Sequence, residues 1–283
     1  MGKSGFRLGM GQMLVEGAKV DSNLGRAVKM LEDAADRGCH IVVLPECLDI
    51  GWTHPQAREL ARPIPGEYSS VLCSAAKRCG IHVVAGLTEK SGERIYNSAV
   101  LISPEGDILL KHRKINELDI AQDLYSIGNT LSVAETSLGV IGIDICADNF
   151  PDSLVLGHSL ARMGAQIILS PSAWAVEPWH DNSRESCTDI WKKSYSRLAK
   201  LYSISVVGVS NVGPIEAGVW KGKVCIGGSL AVGPDGKIIA EGPYGEFAEK
   251  LVVVEIGLLP REEKGTRISE MLCKKGRGWP NEE

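Results

Sequence analysis

The chain has 283 residues, of which 44% are hydrophobic and 23% are charged, and its formal net charge is −4. This composition is ordinary for a globular protein, and the length is enough to bury a sizeable core. A weakly acidic chain without a clustered basic face does not fit nucleic-acid binding. No apolar stretch reaches the ~18 residues of a membrane span, and the first residues lack the apolar run of a signal peptide. We therefore expect neither a nucleic-acid nor a membrane partner.

The cysteines and histidines show no metal-binding pattern. The eight cysteines are scattered without a C-x-x-C pair, and none of the six histidines forms an H-x-x-x-H pair. These are common spacings of zinc ligands, so we predict no metal site. Without a secretory signal we also predict reduced thiols and a cytoplasmic location.

The first predicted helix covers residues 21–38, where apolar residues recur on one face. Ser22 is expected to cap the start of this helix and Gly38 to end it. A short, continuous apolar run follows at 41–46. Such a run is typical of a strand that is covered on both faces.

The same order then recurs, with a helix predicted at 67–79 and a strand at 81–87. Residues 96–114 have the pattern of a hairpin. Its turn is predicted at 104–107, where Pro, Glu, Gly and Asp supply the turn chemistry.

The second half of the chain repeats the plan of the first. Three pairs of similar segments occur in the same order: 38–46 with 164–172, 80–87 with 203–211, and 97–109 with 227–239. The separation of about 125–130 residues is too long for a solenoid unit. It predicts two pseudo-symmetric α/β halves whose sheets pack face to face, giving a four-layer αββα sandwich. No flexible linker separates the halves, so we expect one domain over residues 1–283.

Three ionisable residues end apolar strand-like runs: Glu46, Lys114 and Cys146. Sites gather at the carboxyl ends of parallel strands, so these side chains are expected to share a pocket. A helix predicted at 153–163 would point its N-terminus toward Cys146 and favour the thiolate. Each residue alone has an ordinary explanation, such as a buried cysteine or a solvated lysine. The combination favours nucleophilic catalysis in which Glu46 accepts the thiol proton.

The motifs around these residues resemble those of the nitrilase, or carbon–nitrogen hydrolase, superfamily, and the resemblance covers nearly the whole chain. LPE at 44–46, HRKINEL at 112–118 and GIDICADNFP at 142–151 are similar to its glutamate, lysine and cysteine motifs. SPSAW at 170–174 and GGSLAVGPDG at 227–236 are similar to later segments.

The resemblance implies an αββα sandwich and hydrolysis of a non-peptide carbon–nitrogen bond without metal or organic cofactor. It implies that Cys146 is the nucleophile, Glu46 the general base, and Lys114 the group that stabilises the tetrahedral intermediate. A thioester acyl-enzyme would form and then react with water. The backbone N–H of Ala147 would be a second oxyanion donor. The substrate would be a small amide first, then an N-carbamoyl compound or a nitrile.

Other site residues stay open at this stage. Many members of the superfamily have a second glutamate between the lysine and the cysteine, and both Glu117 and Asp123 are candidates. Trp52 and Trp174 follow corresponding strands of the two halves and could form walls of the pocket. Arg184 could meet an acidic group of the substrate.

The alternative is a nitrilase-fold interaction or assembly module with little catalysis. In either case we expect a homodimer or a higher homo-oligomer, because the resemblance implies pairing near the active site. A C-terminal arm from about residue 262 is expected to reach a neighbouring subunit, with Arg267, Trp279 and Pro280 as candidate anchors.

Overall fold

The computed structural model describes residues 5–260 and residue 274. Within these residues the strands are β1 (Gly5–Gln12), β2 (Ile41–Val43), β3 (His82–Ser91), β4 (Arg94–Ile102), β5 (Ile108–Arg113), β6 (Val133–Thr136), β7 (Gly139–Ile143), β8 (Ile167–Ser172), β9 (Ala175–Val176), β10 (Ser205–Ser210), β11 (Val212–Pro214), β12 (Val224–Ile226), β13 (Leu230–Val232), β14 (Ile238–Glu241) and β15 (Lys250–Gly257). The α-helices are α1 (Val20–Asp36), α2 (Ala57–Leu60), α3 (Glu67–Cys79), α4 (Val155–Arg162) and α5 (Asp189–Tyr202).

Two six-stranded sheets have the same plan. One has the order β15-β1-β2-β3-β4-β5 and the other β6-β7-β8-β10-β13-β14. Each has three parallel strands in its middle, two antiparallel strands on one side and one on the other. This correspondence confirms the two pseudo-symmetric halves. The last strand, β15, pairs with β1 and so completes the sheet of the first half.

The sheets pack face to face, and the helices cover their outer faces. α1 and α3 pack on the first sheet, and α4 and α5 on the second. In β2, Ile41 and Val43 face the core between the sheets, whereas Val42 packs in the cluster beneath the helices. A strand covered on both faces needs apolar residues at every position, which explains the continuous run. The predicted αββα sandwich is confirmed.

Two helices begin at other residues than the sequence predicted. α1 begins at Val20, after Lys19 and without a side-chain cap, so Ser22 lies inside the first turn and does not cap it. The helix predicted at 153–163 is α4, which begins only at Val155. Pro151–Ser153 form a separate 3-10 turn before it, and this turn is not continuous with α4.

Other local predictions hold more closely. α3 covers the predicted residues and ends at Gly80, whose φ of +66° is the left-handed conformation that glycine adopts without a Cβ clash. β4 and β5 form the predicted hairpin.

No α-helix in residues 5–260 is both long and apolar enough to cross a bilayer. The predicted C-terminal arm from about residue 262, with Arg267, Trp279 and Pro280, lies outside the described residues.

Candidate active site

The side chains predicted to share a pocket lie just beyond the ends of three strands. Glu46 follows β2, Lys114 follows β5 directly, and Cys146 follows β7. All three line one cavity of about 260 Å³. The structure therefore brings together residues that are far apart in the sequence, because the carboxyl ends of β2, β5 and β7 lie at the same end of the packed sheets.

Glu46 and Lys114 form a buried ion pair. Lys114 Nζ donates to Glu46 Oε1 at 2.7 Å, and each side chain is 1% exposed. Asn97 Nδ2 donates to the same carboxylate oxygen at 2.5 Å. Burial alone would lower the pKa of Lys114, but the carboxylates of Glu46 and Glu117 outweigh burial and raise the pKa above its ordinary value. Lys114 is thus a fixed cation at ordinary pH.

Cys146 begins a 3-10 turn of residues Cys146–Asn149 and is 9% exposed. Its φ of +46° is in the left-handed region, and its N–H donates to Ser170 Oγ at 3.1 Å. Burial and, next, the Glu46 carboxylate raise the pKa of the thiol, although Lys114 and the Ala173 N–H act in the opposite direction. These effects together favour the neutral thiol of Cys146 over the thiolate.

The prediction that Cys146 lies just before the N-terminus of the following helix is wrong. α4 begins nine residues later, at Val155, because two 3-10 turns intervene. Cys146 is therefore not the residue directly before the first turn of α4, where the positive end of a helix acts most strongly.

Glu117, and not Asp123, lies beside Lys114, although its side chain does not line the cavity. The Glu117 side chain is fully buried, and its Oε2 is 4.0 Å from Lys114 Nζ. Burial is the main cause that raises the pKa of Glu117 to about 8, against the opposing effect of Lys114. Asp123 is exposed, and its backbone carbonyl accepts a hydrogen bond from Arg58. Only Glu117 can affect the charge of the site directly.

Of the remaining predicted residues, three line the cavity and one does not. Ala147, Trp52 and Trp174 line the cavity. Arg184 does not: its side chain is 87% exposed and pairs with Asp181 at 3.2 Å. The prediction that Arg184 meets an acidic substrate group is not supported, because the loop directs the guanidinium into solvent.

Sequence reasoning missed the way in which Asp148 joins the two loops that carry Lys114 and Cys146. Asp148 Oδ1 accepts the N–H groups of Ile115 and Asn116 at 3.2 and 2.8 Å. Its Oδ2 accepts Ile145 N–H at 3.1 Å and lies 2.9 Å from His112 Nε2. The acidic residue two positions after Cys146 was the available signal.

The sequence did not single out the other residues that line the cavity. Some lie inside the motifs around Lys114, Cys146 and Trp174, and the rest come from β9, from α5 and the segment before it, and from the loop before β12. They are Leu118, Phe150, Ala173, Ala175, Val176, Cys187, Ile190, Trp191 and Trp220. Within residues 5–260, no three His, Cys, Asp or Glu side chains are grouped so as to hold a metal ion.

We expect Asp148→Asn to lower both stability and turnover. The substituted amide places an NH₂ group where an oxygen now accepts, so at least one buried N–H loses its partner, at a cost of about 1–3 kcal/mol. Urea unfolding measures this cost. The control Asp152→Asn removes an exposed carboxylate from the same segment and is expected to stay within about 0.5 kcal/mol of wild type. Equal stability of the two variants would show that Asp148 does not hold the loops together.

The pKa of Glu117 predicts a pH-dependent stability. Between its ordinary value of 4.5 and the folded value of about 8, the native protein keeps a proton that the unfolded chain releases. The contribution of Glu117 to the free energy of unfolding therefore falls as pH rises through this window, by at most about 1.4 kcal/mol per pH unit.

Urea unfolding at about pH 5 and about pH 8 tests this prediction. The stability of wild type relative to Glu117→Gln should decrease between the two pH values, since the variant has no proton to lose. The control Asp123→Asn should give a difference that does not change with pH. A constant difference for Glu117→Gln as well would contradict the buried, protonated carboxyl.

The family model described as carbon-nitrogen hydrolase matches residues 7–259. The omega-amidase NIT2 of Danio rerio is 37% identical over 182 residues, which cover 60% of this chain and 64% of that protein. A nitrilase of Pyrococcus abyssi is 35% identical over 158 residues, covering 54% of this chain and 59% of its own. The chain thus spans less than two thirds of the length of these curated relatives.

A solved structure has the same fold over almost the whole chain. The carbon-nitrogen hydrolase from Helicobacter pylori G27 superposes with a TM-score of 0.78 at 22% identity, covering 96% of this chain and 93% of its own. Since the family model matches nearly all of the described residues, the chain belongs to the carbon-nitrogen hydrolase family.

Proposed function

We propose that the protein hydrolyses the carbon–nitrogen bond of a small amide through a thioester on Cys146. The observation that carries this proposal is the buried pair of Lys114 and Glu46, 2.7 Å apart, in the same cavity as the Cys146 thiol. A buried ion pair contributes little net stability compared with apolar packing. A catalytic role explains why it occupies the wall of a cavity.

In the first step, Glu46 accepts the proton of the Cys146 thiol while Sγ attacks the amide carbon. The carbonyl oxygen takes the negative charge, which Lys114 and the Ala147 N–H stabilise. Glu46 then returns the proton to the nitrogen of the leaving group. The carbon–nitrogen bond breaks, ammonia or an amine leaves, and a thioester remains on Cys146.

In the second step, Glu46 removes a proton from water as the oxygen attacks the thioester. The same oxyanion donors stabilise the second tetrahedral intermediate. Its collapse releases the carboxylic acid and returns the proton to Cys146. No group is consumed, so the site is restored after each turnover.

The charges of the site fit these two reaction steps. Below about pH 8, burial keeps Glu117 protonated, so the Lys114 cation is balanced by Glu46 alone. When Glu46 takes the thiol proton, the carboxylate is neutralised. The Lys114 charge is then available to the developing oxyanion, and its burial makes the attraction stronger than it would be in water.

An amide is the preferred substrate class because the relative with 37% identity is an omega-amidase. A nitrile is the second candidate, supported by the relative named as a nitrilase, and an N-carbamoyl compound is the third. The same three residues could serve all of them. The alternative of an assembly module with little catalysis predicts no selective chemistry at Cys146.

The test is to mix the protein with panels of amides, N-carbamoyl amino acids and nitriles, and to measure ammonia release and intact mass. We expect ammonia release and a transient mass increase equal to the acyl group of the substrate. A substoichiometric electrophile should label Cys146 ahead of the other thiols. No adduct, no ammonia and equal labelling of all accessible thiols would favour the assembly module.

We also propose a single domain that assembles as a homo-oligomer in the cytoplasm, with the C-terminal arm contributing to the contact. Light scattering of a chain that ends before Gly265 tests the arm. An assembly with the same number of subunits as that of the full chain would contradict this role.

A further inference from the structure

Apart from Glu46, Lys114 and Cys146, the side chains that line the cavity are apolar. An inference about the substrate follows, and it rests on the proposed function. We propose that the amide carries an uncharged, apolar distal part, a ring or a short alkyl chain, and not a carboxylate. This part would lie between two aromatic walls.

The first aromatic wall consists of Trp52 and Trp220, whose ring centroids are 4.6 Å apart at an interplanar angle of 61°. Lys114 Nζ lies 5.9 Å from the centroid of the Trp52 ring, so this wall begins beside the catalytic groups. Trp220 extends it toward the protein surface, because this side chain is only partly buried.

The second aromatic wall is a stack of Trp174, Trp191 and Phe150. Trp191 lies 4.9 Å from Trp174 at 13° and 5.0 Å from Phe150 at 23°. Trp174 follows β8, Trp191 lies in the first turn of α5 and Phe150 ends the Cys146 turn, so the stack joins three separate segments. Flat aromatic surfaces of this kind favour apolar and ring-shaped ligands through area burial and ring contacts.

The charges around the cavity argue against an acidic substrate. Among the described residues, Lys114 is the only cation that lines it, and Glu46 already neutralises this side chain. Lys223 lies 5.0 Å from the Trp220 ring centroid but pairs with Glu177 at 2.8 Å. A substrate carboxylate would lose water without gaining an unpaired cation, which is strongly unfavourable.

The size of the cavity fits an amide with a ring. Its volume of about 260 Å³ exceeds the ~150 Å³ of an apolar protein cavity that binds benzene. Cys146 is 9% exposed at the closed end, and Ile190 is 39% exposed at the mouth. An amide group at Cys146 therefore leaves room for several carbon atoms before the substrate reaches solvent.

The first experiment compares kcat/KM for hexanamide and phenylacetamide with that for succinamate, which carries a carboxylate at the far end. We expect the neutral amides to be preferred by at least about 100-fold, since the carboxylate is left without a partner. A preference for succinamate would overturn the inference. Turnover that depends on Cys146 would still support the proposed function in that case.

Two variants locate the cause of the preference. Ile190→Arg places a cation at the mouth, where the partial exposure of this position allows the guanidinium to reach water. We expect it to raise succinamate turnover at least about tenfold relative to hexanamide. The uncharged control Ile190→Met should keep the neutral preference. Arg184→Ala should also keep it, because this residue lies outside the cavity; a loss of succinamate turnover in Arg184→Ala would contradict the inference.

A binding measurement separates this inference from the proposed function. Tryptophan fluorescence of Cys146→Ala reports ligands between the aromatic walls without turnover. Tighter binding of hexanamide than of succinamate supports the apolar pocket even if no amide is hydrolysed. Tighter binding of succinamate overturns it, whatever the activity. Absence of both turnover and adduct with every amide would contradict the proposed function alone.

Discussion

Cys146→Ala is expected to lower amide turnover by at least about 10⁴-fold and to abolish the mass adduct, because Sγ forms the proposed thioester. The loss should appear in kcat. Substrate binding depends mainly on the aromatic walls, so binding should persist in the variant. Ammonia release and intact mass measure the two effects independently.

The second thiol in the cavity supplies the control. Cys187 lines the same space as Cys146, but it lies in the segment before α5 and is only partly buried. Cys187→Ala should keep the adduct, since the thiol near Glu46 and Lys114 is intact. An adduct that persists in Cys146→Ala and disappears in Cys187→Ala would show that Cys187 is the nucleophile.

Breaking the buried pair is expected to have the second largest effect. Glu46→Gln removes the proton acceptor and should lower turnover by about 10²–10⁴-fold. It also leaves the Lys114 cation without its 2.7 Å partner. Loss of one partner of a buried ion pair costs about 3–5 kcal/mol of stability. Lys114→Met should have a similar effect on stability, because Glu46 is then left buried and unpaired.

The double variant Glu46→Gln/Lys114→Met distinguishes stability from catalysis. Its loss of unfolding free energy should be well below the sum of the two single losses, since no unpaired charge remains. Its turnover should stay as low as that of the single variants. Additive losses of stability would show that the two side chains are not coupled in the folded protein.

The arrangement explains how a thiol with a raised pKa can act as a nucleophile. Burial and the Glu46 carboxylate both oppose formation of a resting thiolate at Cys146. In the proposed mechanism, the same carboxylate is the base that removes the proton during attack. In this mechanism the thiolate forms only as the sulfur attacks an electrophilic carbon, so the resting thiol is less open to oxidation.

The sequence by itself determined the local features of the fold. The continuous apolar run of β2 indicated a strand covered on both faces, and Gly80 marked the end of α3. The repeated order of segments predicted two similar sheets. These features depend on neighbouring residues along the chain, through side-chain periodicity and backbone conformation. The positions of Glu46 and Lys114 beyond strand ends followed from the same patterns.

Only the tertiary structure decided which polar side chains lose contact with water. Glu117 and Asp123 lie in one loop after β5, yet the first is buried beside Lys114 and the second is exposed. Arg184 points into solvent, whereas Trp191, seven residues later, lines the cavity. Burial depends on segments that are distant in the sequence, since contacts between remote strands, loops and helices form only when the sheets pack. The residues around each catalytic candidate in the sequence therefore indicate the chemistry of the site. The charge state of the site and the shape of its cavity arise from the packing of remote segments.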